Sequence, residues 1–171
     1  MRFPLIISRR RDGISPWHPA CLAATWFGCG LMPKAPGTWG SAAALPFAWA
    51  LFRLGGSWAL VAGSALCFLV GWWASAVYVR RTGVADPSEV VIDEIAGQWL
   101  VLAAVPADPL LYLVGFLVFR VLDILKPWPA SWADRHIEGG LGVMVDDMLA
   151  AAYGALLMAV VALLWSLPWR I

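Results

Sequence analysis

The stretch SWALVAGSALCFLVGWWASAVYV, residues 57–79, carries no charged side chain and is followed directly by Arg80 and Arg81. A helix rises about 1.5 Å per residue, so this stretch is long enough to cross the ~30 Å hydrocarbon core of a bilayer. Arginines at one end are typical of the point where a spanning helix leaves the apolar layer. Residues 57–79 therefore predict a transmembrane helix, around which the rest of the chain can be placed.

The composition extends this prediction to the whole chain. Of the 171 residues, 61% are hydrophobic and 13% are charged, whereas soluble domains have about 45–50% and about 25%. The net charge of +1 offers no basic surface to nucleic acid. The three cysteines lack CxxC spacing, so they indicate neither a zinc site nor a disulfide framework. We predict a single integral membrane domain over residues 1–171, of undetermined oligomeric state.

Further helices complete an all-α bundle. Residues 17–31 are apolar but broken by prolines and glycines, which favours an interfacial or re-entrant segment. Asp86, Pro87 and Glu89 have the order of an N-cap, a first-turn proline and a capping-box acid. The predicted helices cover about residues 39–54 (capped by Thr38, kinked at Pro46, ended by a turn at Gly55-Gly56), 57–79, 87–105, 109–125 and 147–167. The chain thus predicts a small polytopic membrane bundle with about five transmembrane helices.

The distribution of charge predicts the orientation. With the N-terminus inside, ten of the twelve basic residues fall on the cytoplasmic side, and Arg53 and Arg170 fall on the other. Ten of the eleven acidic residues gather on the same side, with Asp108 opposite, although they were not used to choose the orientation. Residues 1–16 are then a basic cytoplasmic segment, and residues 126–146 form a cytoplasmic loop. Positive-inside bias does not explain the carboxylates, so they require a role of their own.

Carboxylates concentrate at helix ends on this side. Asp93 and Glu94 lie within the apolar stretch VVIDEIAGQWL, and Asp146 and Asp147 lie at the predicted start of the last helix. Ionisable groups in an apolar helix are costly unless they are paired or have a ligand. Mg²⁺ is a hard cation that binds carboxylates together with waters and phosphate oxygens. The pattern therefore predicts a Mg²⁺ site formed by Asp93, Glu94 and one or both of Asp146 and Asp147.

Cations accompany these acids along the chain. The charged residues of the fourth helix and the loop after it include Arg120, Asp123, Lys126, Asp134 and Arg135. Arginine and lysine suit phosphate oxygens, and backbone N–H groups near Thr38 can also receive an anion. Carboxylate-bound Mg²⁺ beside such cations can polarise a phosphoryl group and activate water for in-line attack. The residues alone predict metal-assisted hydrolysis of a phosphate ester.

Simpler roles remain open for the residues that can cap helices or face solvent. Capping is favoured over metal binding for Asp86 and Glu89, and it is an alternative to a ligand role for Asp147. His136 fits polar surface better than a general base. The capping roles would leave Asp93, Glu94 and Asp146 as the carboxylates that need a ligand.

Pairing within the cluster and a different function are further alternatives. Arg120 with Asp123 can be a buried ion pair, and Asp134 with Arg135 an exposed loop pair. Intramembrane acids also mark ion paths, so an ion transporter is the alternative function. A transporter predicts charges spread through the depth of the bilayer. The predicted stacking of the charges on one side favours an enzyme.

Three stretches of the chain carry a family resemblance. They are LMPKAPGTWGS (31–41), VVIDEIAGQW (90–99) and FRVLDILKPWPASWADRHIEGGLGVMVDDMLAA (119–151). In order and content they resemble the phosphatidylglycerophosphatase A family, over about residues 17–155. The resemblance implies a magnesium-dependent enzyme of the bacterial inner membrane. Such an enzyme converts phosphatidylglycerophosphate to phosphatidylglycerol and inorganic phosphate.

The resemblance implies a polar core at the matching positions, to which we assign roles. Mg²⁺ would be held by Asp93, Glu94 and Asp146 or Asp147. The phosphomonoester would be bound by Arg120, Lys126 and Arg135. Asp123 or Asp134 would orient water or protonate the leaving glycerol oxygen. The phospholipid substrate would remain in the membrane while its headgroup reacts at the cytoplasmic face.

Overall fold

Helices make up the architecture of the chain. The structure is a computed structural model that describes residues 13–166. Within this range it contains six α-helices, one 3₁₀ turn and no strand, which confirms the all-α prediction. The elements are α1 (Pro19–Ala24), the 3₁₀ turn (Cys29–Leu31), α2 (Pro36–Thr82), α3 (Ile92–Leu102), α4 (Pro109–Leu125), α5 (Ala130–His136) and α6 (Gly139–Ser166). Most of the predicted basic segment 1–16 lies outside the described residues.

The 47-residue helix α2 folds back on itself as a hairpin. Its non-helical dihedral angles fall at Gly55 (φ −157°, ψ 20°) and Gly56 (φ 63°, ψ −154°). A Cβ on Gly63 would lie 3.1 Å from Leu51 Cδ1, although the two residues would be ~18 Å apart in a straight helix. Positive φ suits glycine, so the predicted turn at Gly55-Gly56 is confirmed. Pro46 lies inside α2 with helical dihedral angles, and the predicted kink there stays a prediction.

Two helices of the described range, α2 and α6, are long and apolar enough to cross a membrane. This criterion uses only length and composition, so it supports a membrane protein weakly. Helix α3 has eleven residues, which at about 1.5 Å per residue is ~16 Å, too short to cross the hydrocarbon core. Helix α4 has seventeen residues. The prediction of five transmembrane helices is therefore not supported.

Helix α3 begins at Ile92, so the predicted helix start at Asp86-Pro87 is wrong. The reason is a long-range backbone contact that local capping rules cannot see. The amide of Val90 donates to Pro87 O at 2.9 Å to close a turn, and the amide of Val91 donates to Ala24 O at 2.8 Å. Both amides are satisfied outside a helix. As a result, the two acids that follow Ile92 lie in the first turn of α3, where the helix dipole favours negative charge.

Helix α6 begins at Gly139, so its predicted start at Asp147 is also wrong. The expected loop 126–146 contains α5 and the first two turns of α6. A Cβ on Gly140 would lie 2.3 Å from Ala76 N and 2.6 Å from Trp72 O. Glycine therefore allows the backbones of α6 and α2 to cross closely, rather than forming a loop. Asp147 lies inside a helix and does not cap one.

Helix α3 occupies the centre of the bundle. The indole Nε1 of Trp99 donates to Ala44 O at 3.0 Å, and Ser64 Oγ donates to Ala96 O at 2.7 Å. These bonds tie α3 to both halves of the α2 hairpin. Ile95 and Ala96 are fully buried, as expected for a short helix surrounded by longer ones. The first turn of α3 is thereby held at one end of the bundle, where the charged residues collect.

Candidate functional site

Three carboxylates from two helices form a compact cluster. Asp93 and Glu94 come from the first turn of α3, and Asp147 comes from α6. Each offers a ligand oxygen, and these oxygens lie within 4.8 Å of one another. Asp93 is 9% exposed and Asp147 is 4% exposed. Such a spacing suits one hard cation between them.

Unpaired oxygens provide the test of whether this cluster fits a metal ion. Glu94 Oε2 and Asp147 Oδ2 are buried and have no hydrogen-bond partner within residues 13–166. Buried polar atoms are normally satisfied, so an exception needs a reason. Oxygen ligands are also the ligands that Mg²⁺ prefers. The donor set of Asp93, Glu94 and Asp147 therefore fits Mg²⁺.

The pKa values of the two α3 carboxylates also favour a bound cation. Burial, followed by the charge of Glu94, raises the pKa of Asp93 well above its usual value. Burial raises the pKa of Glu94 to about 8. Burial disfavours the charged carboxylate, and a neighbouring negative charge disfavours it further. A divalent cation between the two groups would reverse both effects.

Arg120 of α4 joins this cluster from the side. Its Nη1 lies 2.6 Å from Asp123 Oδ2 and 3.7 Å from Glu94 Oε1. The same atom donates to Ser41 Oγ of α2 at 3.3 Å. Arg120 Nε is buried without a hydrogen-bond partner in the described range. Arg120 and Asp123 thus form the expected ion pair, but the pair lies against the carboxylate cluster rather than apart from it.

Lys126 connects the end of α4 to two other helices. It ends α4 in the left-handed region with φ 43°. Its Nζ donates to Asp134 of α5 and to Asp146 of α6. Burial lowers the pKa of Lys126, but the bonds and charges of the two carboxylates outweigh burial and raise it above its usual value. Lys126 therefore remains positively charged beside the cluster.

These groups face one cavity of about 1010 Å³. Nine predicted site residues line it: Thr38, Asp93, Glu94, Arg120, Asp123, Lys126, Asp134, Asp146 and Asp147. Thr38 lies inside α2, so its predicted role as a helix cap is wrong; α2 starts after Ala35 without a side-chain cap. Of the two adjacent aspartates, Asp147 belongs to the carboxylate cluster with Asp93 and Glu94, whereas Asp146 pairs with Lys126.

Arg135 is the predicted site residue that the structure leaves outside the cavity lining. Its side chain is exposed, and its Nε donates to Ser131 O at 2.9 Å on its own helix. Its expected partner, Asp134, pairs with Lys126 instead. His136 also lies outside, with its ring stacked on Trp132 at a centroid distance of 5.1 Å. Helix α5 directs Asp134 into the site and turns the next two residues away.

The cavity also contains residues that the sequence did not single out for it. Asp86 and Glu138 are exposed and line the cavity, so Asp86 is part of the site rather than a helix cap. A Cβ on Gly37 would lie 1.9 Å from Glu94 Oε1 and 3.2 Å from Arg120 Nη1. The absence of a side chain at Gly37 therefore makes room for the Glu94 carboxylate. The signal was present in PGTWGS, where glycine and serine recur at helical spacing.

Known proteins of related sequence include named phosphatases. The sequence profile of the family Phosphatidylglycerophosphatase A matches residues 22–162. The chain is 38% identical to Phosphatidylglycerophosphatase A of Escherichia coli (strain K12), over 90% of this chain and 87% of that protein. It is 40% identical to Phosphatidylglycerophosphatase A of Haemophilus influenzae, over 85% of this chain and 90% of that protein.

A third relative has a different name. The chain is 38% identical to a Bacteroides thetaiotaomicron protein provisionally named phosphatidylinositol-3-phosphatase, over 81% of this chain and 91% of that protein. No solved structure matches the chain. All three names describe removal of a phosphate from a phospholipid, but they differ in the headgroup.

Proposed function

The chain belongs to the phosphatidylglycerophosphatase A family and is a phosphatase, and on that premise we propose that it hydrolyses phosphatidylglycerophosphate to phosphatidylglycerol and inorganic phosphate. One observation carries the proposal. Oxygens of Asp93, Glu94 and Asp147 lie within 4.8 Å of one another in a cavity that Arg120 and Lys126 also line. Carboxylates that can hold a hard cation, next to fixed positive charges, suit a phosphomonoester.

Asp93, Glu94 and Asp147 are the residues that would hold Mg²⁺. When bound, Mg²⁺ supplies charge stabilisation at the phosphoryl oxygens and lowers the pKa of water. Lys126 supplies a permanent positive charge, which its bonds to Asp134 and Asp146 hold at the cavity wall. Arg120 lines the cavity and is held by its ion pair with Asp123, so its guanidinium supplies a second positive charge for a phosphate oxygen.

Two carboxylates are candidates for handling the water and the leaving oxygen. Asp123 is 8% exposed and is fixed by Arg120. The Asp134 side chain is 39% exposed and is fixed by Lys126 at the cavity wall. A general acid or base must reach the proton that it transfers. We propose that one of the two orients the attacking water or protonates the glycerol oxygen, and substitution of each to asparagine would assign the role.

The surface of α4 suits a substrate that stays in a membrane. Residues at helical spacing expose large apolar side chains along one face: Leu110, Leu113, Leu117, Val121 and Ile124, each at least half exposed. Ile124 also lines the cavity. Acyl chains could lie on this face while the headgroup reaches the carboxylates. We propose that the protein lies in the bacterial inner membrane, with the cavity at its cytoplasmic side.

Two alternatives to this function differ in their support. The ion transporter is not supported, because the buried carboxylates surround a single cavity and the relatives are named as phosphatases. A different phospholipid headgroup has a specific observation behind it. The Bacteroides relative is named for a phosphoinositide, and its identity to this chain is similar to that of the other two. Phosphatidylinositol 3-phosphate is therefore the competing substrate.

A phosphate-release assay separates these possibilities. Protein purified in detergent is supplied with phosphatidylglycerophosphate, phosphatidylinositol 3-phosphate or phosphatidic acid, with Mg²⁺ or with excess chelator. We expect release from phosphatidylglycerophosphate with Mg²⁺ and loss of release in chelator. Asp93→Asn should reduce release to background without unfolding, whereas Asp108→Asn, which keeps a cap on α4 away from the cavity, should not. Full activity in chelator would reject the metal, and preference for the phosphoinositide would reject the substrate.

A further inference from the structure

Ser41 lies beneath the cavity and contacts one of its charged residues. Its side chain is fully buried in the second turn of α2. Ser41 Oγ donates to Gly37 O at 3.0 Å, and it accepts from Arg120 Nη1 at 3.3 Å. Ser41 does not line the cavity, so it cannot touch substrate there. Of the two residues that Ser41 Oγ bonds, Arg120 is the charged one that lines the cavity.

The direction of these hydrogen bonds is fixed. A serine hydroxyl has one proton, and Ser41 donates that proton to Gly37 O, so only its lone pairs face Arg120. Nη1 of Arg120 has two protons. One of them is donated to Ser41 Oγ, and the same nitrogen forms an ion pair with Asp123 Oδ2, 2.6 Å away. Ser41 thus engages one of the two Nη1 protons.

Glu94 is left out of this arrangement. Its Oε1 lies 3.7 Å from Arg120 Nη1, beyond hydrogen-bond distance. Its Oε2 is buried and has no hydrogen-bond partner among the described residues. A guanidinium normally donates to a carboxylate this close. Ser41 therefore engages an Nη1 proton that Glu94 Oε1 could otherwise accept.

We propose that Ser41 is a positioning residue that keeps Arg120 from donating to Glu94, so that Glu94 stays available to the cation. The inference rests on the proposed metal-dependent function. Without the hydroxyl, one Nη1 proton loses its acceptor, and Glu94 Oε1, 3.7 Å from Nη1, is a carboxylate oxygen that a small movement would bring within hydrogen-bond distance. A hydrogen bond to Arg120 would draw Glu94 away from Asp93 and Asp147. The affinity for the cation should then fall, while the rate at saturating cation concentration should change little.

The test measures cation binding without turnover. Mn²⁺ is titrated into the detergent-solubilised full chain, and free Mn²⁺ is followed by electron paramagnetic resonance. We expect Ser41→Ala to raise the Kd for Mn²⁺ ~10-fold, as is typical when a partner of a metal ligand is lost. The Mg²⁺ concentration for half-maximal phosphate release should rise by the same factor, with little change in kcat. Ser41→Thr, which keeps the hydroxyl, should restore most of the affinity.

Ser64→Ala is the matched control. Ser64 is 1% exposed, and it also lies on α2 and donates to a carbonyl, Ala96 O of α3. Its removal should lower the melting temperature and leave the Kd for Mn²⁺ unchanged. If Ser41→Ala does not fold, Ser41→Cys removes the strong acceptor at nearly the same volume and should weaken binding likewise.

Three results would overturn the inference, and they are distinguishable. Wild-type protein that binds Mn²⁺ no better than Asp93→Asn would remove the metal site, and the proposed function with it. Wild-type binding that Ser41→Ala or Ser41→Cys retains unchanged would remove only the role of Ser41. An equal loss of affinity in Ser64→Ala would show general loosening of α2 and would also reject that role.

Discussion

Gly37→Ala adds a single methyl group at the most crowded point of the site. The new Cβ would lie 1.9 Å from Glu94 Oε1 and 3.0 Å from Glu94 Cδ. Real Cβ atoms essentially never come closer than 3.0 Å to another atom, so the carboxylate oxygen must retreat by about 1.1 Å. A displacement of ~1 Å at a reacting site can reduce the rate ~10²-fold. We expect a loss of phosphate release of that size.

Stability and activity should separate in this variant. Alanine is favoured over glycine in a helix by ~0.5–1 kcal/mol, which offsets part of the strain. Thermal unfolding should therefore change little while activity falls. The assay is initial-rate phosphate release from phosphatidylglycerophosphate, together with a melting curve on the same preparation.

Gly63→Ala is the matched control for the added methyl group. It places a Cβ of α2 3.0 Å from Trp99 Cε3 and 3.1 Å from Leu51 Cδ1, side chains that do not line the cavity. Its activity should remain close to wild type. Gly37→Ala protein with wild-type turnover and a normal response to Mg²⁺ would refute the placement of Glu94 against α2.

Three further predictions concern the lipid face, Lys126 and pH. Ile124→Asn should lower kcat/KM ~10-fold for long-chain substrate but not for the deacylated headgroup, because it removes an exposed apolar side chain at the cavity. Leu156→Asn on α6, which is similarly exposed, should change kcat/KM for neither substrate. An equal effect of Ile124→Asn on both substrates would contradict a lipid contact. Asp134→Asn should lower the free energy of unfolding by ~1 kcal/mol or less, since the Asp134 side chain is 39% exposed. Lys126→Met should lower the free energy of unfolding by more, because Asp146 then stays buried without its partner. Equal losses in calorimetry would count against the pairing of Lys126 with Asp146. Burial raises the pKa of Glu94 from 4.5 to about 8, so between these pH values the folded state binds a proton that the unfolded state has lost. The melting temperature in chelator should therefore fall as pH rises from 4.5 to about 8, and it should fall less steeply in Glu94→Gln. Identical pH dependence in wild type and Glu94→Gln would exclude Glu94 as the cause.

Local sequence signals located α4 and the turn of α2 correctly. Asp108 and Pro109 begin α4, and the Asp108 carboxylate accepts from two amides of its first turn. The helix ends just before Lys126 and Pro127, and proline is common directly after a helix end because it cannot continue the helix. The turn at Gly55-Gly56 is also set by the residues at the turn itself, since positive φ suits Gly56. Each of these boundaries depends on residues within a few positions of it, which explains why the sequence was sufficient.

The boundaries that failed depend on distant contacts. The start of α3 is delayed because Val91 bonds to Ala24, a residue far back in the chain. The glycines before Asp146 suggested a loop, but Gly140 is needed where α6 crosses Ala76 of α2. Helix periodicity cannot identify the partner across such a crossing.

Some residues of the site could likewise be predicted from the sequence, and others depend on contacts between helices. Clustering of acids on one side was enough to predict that Asp93 and Glu94 would meet Asp146 or Asp147, but not which of these two aspartates joins them. The sequence could not choose between Lys126 and Arg135 as the cation of the cavity, because that choice depends on how α5 is turned. The spacing in PGTWGS places Gly37 and Ser41 on one helix face, but it could not identify their partners Glu94 and Arg120, which other helices supply.

The close crossing at Gly140 makes the length of the chain between that glycine and Asp147 as important as its chemistry. The two residues are seven positions apart, so they lie nearly two full turns along α6 and project on the same side. Inserting or deleting one residue between them would rotate the aspartate by about 100° about the helix axis and carry it off α3. The crossing at Gly140 therefore sets the position of Asp147 relative to α3, although Gly140 does not line the cavity.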